Sequence, residues 1–248
     1  MRKTGKQRQK MKSYNRDEPE TIQAMFSSIA KNYDRTNAVL SLQMHKKWNR
    51  ELIQNTTYNQ PQTLLDLCCG TGDIAFAYLH EMPEQKQALM LDFCEEMLEC
   101  AKHKADKQNL DRHQISYIKA DAQNIPLVSG SIPCATMAYG IRNIQDPVKC
   151  IREVYRVLEP GGVFGILELT RPSNPLMKIG HCLYLKTMLP ILGKWMTSNQ
   201  AAYKYLQKSI DKFIPSDTLE KMMIEAGFKK TAQKKLTGGI ATIITGVK

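Results

Sequence analysis

No stretch of the 248 residues approaches the roughly 20 apolar residues needed to span a bilayer, and no charged-then-apolar secretory signal opens the chain. The seven cysteines (68, 69, 94, 100, 134, 150 and 182) form no Cys-x-x-Cys pair, no Cys/His zinc spacing and no even disulfide framework. They read as reduced thiols of a cytoplasmic protein that is soluble or peripheral, and no metal site is expected. Acid is missing from residues 1–16, which carry seven Lys/Arg and leave about +4 of the net +11 for the rest. Such a tail could touch nucleic acid or anionic lipid, or be a solvated arm, so residues 1–19 are set apart as a basic flexible tail. Internal repeats and low-complexity core segments are absent too. What remains, with 42% hydrophobic residues overall, fits one large α/β domain over residues 20–248.

The stretch that organises this domain is Asp66-Leu67-Cys68-Cys69-Gly70-Thr71-Gly72-Asp73, directly after Leu64-Leu65. An apolar run, a small-residue turn with two glycines and then a helical pattern mark the first strand–loop–helix of a sheet, with backbone bared for a ligand. An ordinary tight turn gives the same pattern. The loop lacks the three-glycine dinucleotide fingerprint, since Cys68 stands at the first glycine, and it lacks the Gly-Lys-Ser/Thr ending of a phosphate loop. The cofactor left is one with an adenosine but no phosphate.

Before the loop, Ile22, Met25, Phe26, Ile29, Ala30 and Tyr33 recur at helical spacing, followed by Leu40, Leu42, Trp48 and Leu52. Helices at 20–60 that precede the first strand are expected to form a lid over the cofactor edge. Strands follow at Lys86–Asp92, Ile115–Ala120, Cys134–Tyr139 and Val163–Leu169, and a closing hairpin at 228–247. Asp146-Pro147 caps a helix with Val148, Ile151, Val154, Tyr155 and Leu158 on one face, and Pro160-Gly161-Gly162 ends it. The alternation implies a doubly wound, mostly parallel seven-stranded sheet. Asp92 at the end of the second strand suits ribose hydroxyls, and Asp121 with the Ala122 amide suits adenine. Either acid alone serves equally as a helix N-cap; together they fall in step behind the glycine loop. Residues 170–212, rich in Leu, Met, Tyr and Lys and broken by Pro172, Pro175, Pro190 and Gly193, suit a helical cap lining an apolar pocket. Its Lys178, Lys186, Lys194, Lys204 and Lys208 suit an anionic membrane surface.

Tyr33-Asp34-x-x-Asn37, His45-x-x-Trp48-x-Arg50, the loop 66–73, Tyr139-Gly140-Ile141-Arg142-Asn143-Ile144-x-Asp146, Arg156-Val157-Leu158-x-Pro160-Gly161-Gly162 and Leu236-Thr237-Gly238-Gly239 together resemble the menaquinone/ubiquinone biosynthesis C-methyltransferases. These belong to the Rossmann-like class I S-adenosylmethionine-dependent enzymes. The resemblance implies S-adenosylmethionine as cofactor, with Gly70 and Thr71 on its methionine portion, Asp92 on the ribose, Asp121 and Ala122 on the adenine, and Asp66 and Gly72 also among its binding residues. It implies methyl transfer to a ring carbon of a prenylated hydroquinone, most simply demethylmenaquinol to menaquinol. Arg142 would then hold the developing oxyanion, Asn143 fix the hydroxyls, and Tyr33 or His45 relay the proton. Two positions depart from the pattern: Ala138, where the family often has Ser, and Ser131-Ile132-Pro133, where it has Ser-Phe-Asp. Open alternatives are a ubiquinone-pathway benzoquinol, a sterol or small phenol, an RNA substrate and a noncatalytic subunit. No aromatic-basic nucleic-acid motif appears. A peripheral contact with the inner membrane face and a homodimer are both compatible with the sequence.

Overall fold

The computed structural model describes residues 14–172, 174–184, 187 and 200–248. Seven strands run β1 (Thr63–Leu67), β2 (Gln87–Asp92), β3 (Gln114–Lys119), β4 (Ile132–Ala138), β5 (Leu158–Leu169), β6 (Lys229–Leu236) and β7 (Ala241–Val247). They form one sheet in the order β3-β2-β1-β4-β5-β7-β6. The first five are mutually parallel, and β7 lies antiparallel between β5 and β6. The strand order reverses between β1 and β4, so the crevice at their carboxyl ends is where a sheet of this kind accepts ligands.

Central parallel strands covered on both faces should read as near-continuous apolar runs, and β1 and β4 do. Successive side chains then feed opposite layers. Leu64 and Leu167 pack on one side with Leu52, Ile53, Phe76 and Leu79, while Leu65 and Ile166 pack on the other with Ile151, Val154, Leu219 and Met223.

The helices are α1 (Pro19–Ile29), α2 (Tyr33–Leu40), α3 (Met44–Thr56), α4 (Asp73–Glu81), α5 (Glu95–Ala105), α6 (Pro147–Val157), α7 (Pro175–Leu183), α8 (Gln200–Lys212) and α9 (Ser216–Glu225). The lid expected at 20–60 divides into two parts. Residues of α1 and α2 line the crevice, whereas α3 reaches it only with its first turns, through Met44, His45, Trp48 and Asn49, and is otherwise a core helix: Leu52, Ile53 and Thr56 are buried against the sheet. Gly165 makes this approach possible, since a Cβ there would lie 1.9 Å from Thr56 Cγ2.

Asp146 caps α6 as expected, accepting from the Lys149 N–H at 3.0 Å. The helix ends at Val157 rather than at Pro160-Gly161-Gly162. Leu158 has already turned extended and pairs with Ile132, and the last helical carbonyls of Arg156 and Val157 accept the Gly130 and Ser131 N–H groups. Its buried face is accordingly Cys150, Ile151, Val154 and Val157, with Val148 and Tyr155 half-exposed. The cap region contributes α7 and α8; Pro190, Gly193, Lys186 and Lys194, like the basic tail to residue 13, lie outside the described residues.

Candidate active site

The β1–α4 loop is shaped by its backbone. Cys68, Gly70 and Gly72 all take left-handed conformations, with φ of +51°, +54° and +88°. At Gly72 no side chain fits, because a Cβ would meet Met90 Cε at 2.5 Å and Phe76 at 2.6 Å. The Gly70 N–H donates to Asp92 Oδ2 at 2.9 Å, tying the loop to the end of β2. Cys68 occupies a strained position that a glycine would take at no cost. Burial pushes the Cys68 and Cys69 thiols well above their usual range, so neither is a ready nucleophile.

Two openings meet at this loop. The smaller cleft holds Asp92, Asp121, Ala122 and Asn143 beneath Pro19, Ile22 and Phe26 of α1. The larger is a cavity of about 430 Å³ whose lining includes Asp66, Thr71, Arg142, Tyr33 and His45. Leu40, Met177, Leu206 and Ile210 are among the apolar residues that line it. Tyr33, Cys68, Gly70, Ala138 and Tyr139 line both and form the junction.

In the smaller cleft, Asp92 is buried; its carboxylate accepts from the Gly70 and Cys94 N–H groups, each at 2.9 Å, and burial pushes it up to about 6. Each carboxylate oxygen keeps further lone-pair capacity for hydroxyl donors. Asp121 is exposed at the rim, accepting from the Gln123 backbone and side chain, and Ala122 is buried beside it. Asn143 belongs to this side rather than to the larger cavity: its Oδ1 accepts from the Tyr205 hydroxyl of α8 at 3.0 Å.

In the larger cavity, Asp66 Oδ1 accepts from the Thr136 hydroxyl at 3.0 Å, while Oδ2 has no partner. Burial pushes this carboxyl up to about 7. Arg142, in the short 3-10 turn Ile141–Asn143 after β4, is buried and ion-paired through Nη1 with the equally buried Glu168 of β5. Burial opposes the Arg142 charge and the Glu168 carboxylate more than restores it, so the guanidinium stays protonated. Its Nε–H has no partner. Asp66 Oδ2 and Arg142 Nε are thus two orphaned polar atoms in residues that line one cavity. Burial raises the Tyr33 phenol, and it lowers His45, keeping that imidazole neutral.

The lid is fastened to the loop by charge. The Thr71 hydroxyl donates to Asp34 of α2, and Lys104 of α5 bridges Asp34 at 2.8 Å and also pairs with Asp73. The Thr71 side chain is thereby committed to the lid, leaving its backbone to face a ligand. Trp48 Nε1 donates to Thr237 Oγ1 at 2.9 Å, and the Tyr139 hydroxyl donates to Asn49 at 3.1 Å, closing the wall next to α3. Gly72 lines neither opening; it turns the chain into α4. Sequence reasoning missed Glu168 and Lys104. An acid inside the apolar run Val163–Leu169 was a signal for Glu168, since a charge buried there needs a partner. Lys104, on an ordinary amphipathic helix, carried none.

The profile of the ubiE/COQ5 methyltransferase family matches residues 11–248. The chain belongs to the ubiE/COQ5 methyltransferase family. Within reach of this family membership, the chain is 55% identical over 239 residues, 96% of its own length and 99% of the relative's, to a demethylmenaquinone methyltransferase of Protochlamydia amoebophila. A demethylmenaquinone methyltransferase of Chlamydia pneumoniae is 43% identical over 88% of this chain and 92% of its own. Among solved structures, a SAM-dependent methyltransferase from Thermotoga maritima matches with a TM-score of 0.63 at 19% identity, covering 92% of this chain and 99% of its own. One from Methanococcus maripaludis matches at 0.62 and 21%, covering 98% and 97%. At such identities these two speak for the fold, and they agree with the doubly wound sheet. Among the described residues, no helix is long and apolar enough to cross a membrane, and no group of three His, Cys, Asp or Glu is placed to hold a metal.

Proposed function

We propose that this methyltransferase uses S-adenosylmethionine to methylate a ring carbon of a prenylated quinol, converting demethylmenaquinol to menaquinol. The observation that carries the reading is the pair of orphaned atoms. Asp66 Oδ2 lacks a donor and Arg142 Nε lacks an acceptor, and both residues line the same cavity. A ligand ammonium answers the first and a ring oxygen the second. The cradle therefore fits the cofactor: Asp66 takes the amino group of its methionine portion, the Gly70 and Thr71 backbone its carboxylate side, Asp92 the ribose, and Asp121 with Ala122 the adenine. The apolar residues of the cavity, among them Leu40, Met177, Leu206 and Ile210, receive the prenyl chain.

When bound, the cofactor would supply an electrophilic methyl and keep the carbon–sulfur electron pair on its sulfur; the proton displaced from the methylated ring carbon would pass to water as His45 returns its proton to the ring oxygen. The chain's own residues make the ring nucleophilic. A phenol titrates near ~10, so the site must favour its oxyanion. Arg142 stays charged and donates Nε–H to the developing negative oxygen in a mostly apolar cavity, where such a donor is more effective than in water. It cannot take the proton itself; His45, kept neutral, is suited to do so, with Tyr33 in the lining of the same cavity. Asn143 lies on the cofactor side of the wall and holds α8 through Tyr205, so its role is to position Arg142's turn. Most of the remaining catalysis is positional.

A prenylated acceptor resides in a bilayer, and the elements that line the cavity carry a surface that suits one. Leu42, in the cavity lining, and Ile179 and Leu183, on the α7 helix that supplies Met177 and Gly180 to it, are 71%, 66% and 61% exposed, and Lys46, Lys47 and Lys178, close to them in sequence, are exposed too. Apolar tips with lysines describe a peripheral contact with an anionic leaflet. Purified protein with labelled cofactor and each reduced quinol tests the function: methylated naphthoquinol is the expected product. Labelling of a benzoquinol alone, or of neither, overturns it. Flotation with anionic vesicles tests the contact, which Ile179→Asp with Leu183→Asp should abolish while soluble-acceptor turnover persists.

A further inference from the structure

Resting on that reading, we propose that Ser41 is a positioning residue that fixes the tautomer of His45, leaving His45 Nε2 as the atom that accepts the phenolic proton. Two non-glycine residues, Leu42 and Gln43, take left-handed φ of +50° and +64° in the turn between α2 and α3. Conformations this unfavourable persist where the surrounding structure over-determines them, and they gather at functional sites. Here the turn folds the end of α2 back onto the start of α3, through Gln43 N–H to Ala38 O at 2.8 Å and Met44 N–H to Ser41 O at 2.9 Å. The result brings Ser41 Oγ to 2.6 Å from His45 Nδ1, with both residues lining the cavity.

A serine hydroxyl has one proton to give. Ser41 gives it to the Asn37 carbonyl, at 2.7 Å. The contact with His45 therefore runs the other way: Nδ1–H donates to Ser41 Oγ. With the proton on Nδ1, the lone pair of the neutral ring is on Nε2. A buried imidazole whose second nitrogen is fixed by a hydrogen bond is the arrangement a general base requires. In the step, the quinol O–H bond breaks, its proton goes to Nε2, and its electron pair stays on the ring oxygen that faces Arg142. The imidazolium so formed keeps its Nδ1–H on Ser41. The charged groups acting on the ring come from several elements: Asp34 of α2 and Asp73 of α4 favour the protonated form, while Lys46 of α3 and Lys104 of α5 oppose it.

The tautomer is read directly, without turnover, from imidazole nitrogen shifts of the full chain labelled with ¹⁵N, His45 being assigned by comparison with His45→Gln. The expected neutral form carries its proton on Nδ1; a proton on Nε2 in the wild-type protein overturns the proposal. Ser41→Ala should lower kcat by about tenfold or more, on the scale of a lost general base, with cofactor affinity unchanged. Ser41→Thr keeps the hydroxyl and should restore most of kcat. Ser41→Asp places a carboxylate on Nδ1 and should move the acid limb of the kcat profile to higher pH. Equal kcat in Ser41→Ala and wild type, or no rescue by threonine, refutes the role. If Ser41→Ala fails to fold, the wild-type tautomer and the Ser41→Asp profile still decide. Failure to methylate any quinol would refute the proposed function while leaving the tautomer measurement intact.

Discussion

Removing one partner of the Arg142–Glu168 pair should cost far more than removing both. The side chains are 8% and 1% exposed, and Glu168 also accepts the Arg142 and Leu169 backbone N–H groups, at 3.3 and 2.8 Å. In Arg142→Met the carboxylate is stranded in a site where, among the described residues, no other cation pairs with it. Breaking such a buried pair costs about 3–5 kcal/mol, because the remaining charge is uncompensated. For a chain of 248 residues this corresponds to a loss of about 6–20 °C in Tm. Adding Glu168→Gln removes the stranded charge but keeps an acceptor for one backbone N–H, so the double variant should recover about 2 kcal/mol or more of that loss. Turnover stays low in both, since neither keeps Nε–H. Thermal unfolding of the wild type and the two variants measures the stabilities, and a turnover assay the activity. A loss below about 1 kcal/mol in Arg142→Met, or a double variant less stable than Arg142→Met, would refute the view that the pair is a single buried unit.

Cofactor affinity should rise between pH 5 and 7, by up to about tenfold per unit for one released proton. Asp66 and Asp92 sit at about 7 and about 6 because burial disfavours their charge, so both are protonated at the low end of this range. Raised folded values mean a stability contribution fully present below the unfolded value of 3.8 and lost as the pH climbs through 6 and 7, while a bound ammonium favours ionised Asp66 and releases its proton. Calorimetry across that window checks it; Asp66→Asn should flatten the profile, and a wild-type affinity that falls with pH contradicts it. Gly165→Ala should destabilise by about 1–3 kcal/mol through overpacking against Thr56 Cγ2. Thr56→Ser, which removes that methyl but keeps the hydroxyl bonded to Leu52 O at 2.7 Å, should restore part of the loss in chemical denaturation. Lys104→Met should weaken cofactor binding by about fivefold, near 1 kcal/mol for a partly exposed pair, by loosening Asp34 from Thr71; Lys104→Arg should preserve it.

What the sequence made legible follows from how far apart the cooperating atoms lie along the chain. The parallel strands, the glycine loop and the acids at successive strand ends are local patterns of period two, of turn chemistry and of spacing, and the sheet places them as those patterns require. The lid was harder to divide, because the amphipathic stripe of α3 gives no hint whether it faces a ligand or Thr56 faces Gly165; only a glycine at position 165 of a central strand marks the close approach. Arg142 was legible as a charge in a motif, but its partner is 26 residues away on a different strand, and the two become one unit only because β4 and β5 are neighbours.

Ser41 shows the limit most clearly. Residue type and spacing place it four positions before His45, where a serine is ordinarily a helix C-cap or a solvated hydroxyl. Its relation to the histidine depends on two things no spacing reveals. One is the pair of left-handed residues at 42 and 43, neither of them glycine, that turns the chain back at this point. The other is the prior commitment of its single proton to Asn37 O, which settles the direction of the second bond. A base made from a neutral imidazole is therefore specified here by hydrogen-bond accounting around one hydroxyl, and a threonine, which preserves that accounting, is the substitution that separates this cause from the capping of α2.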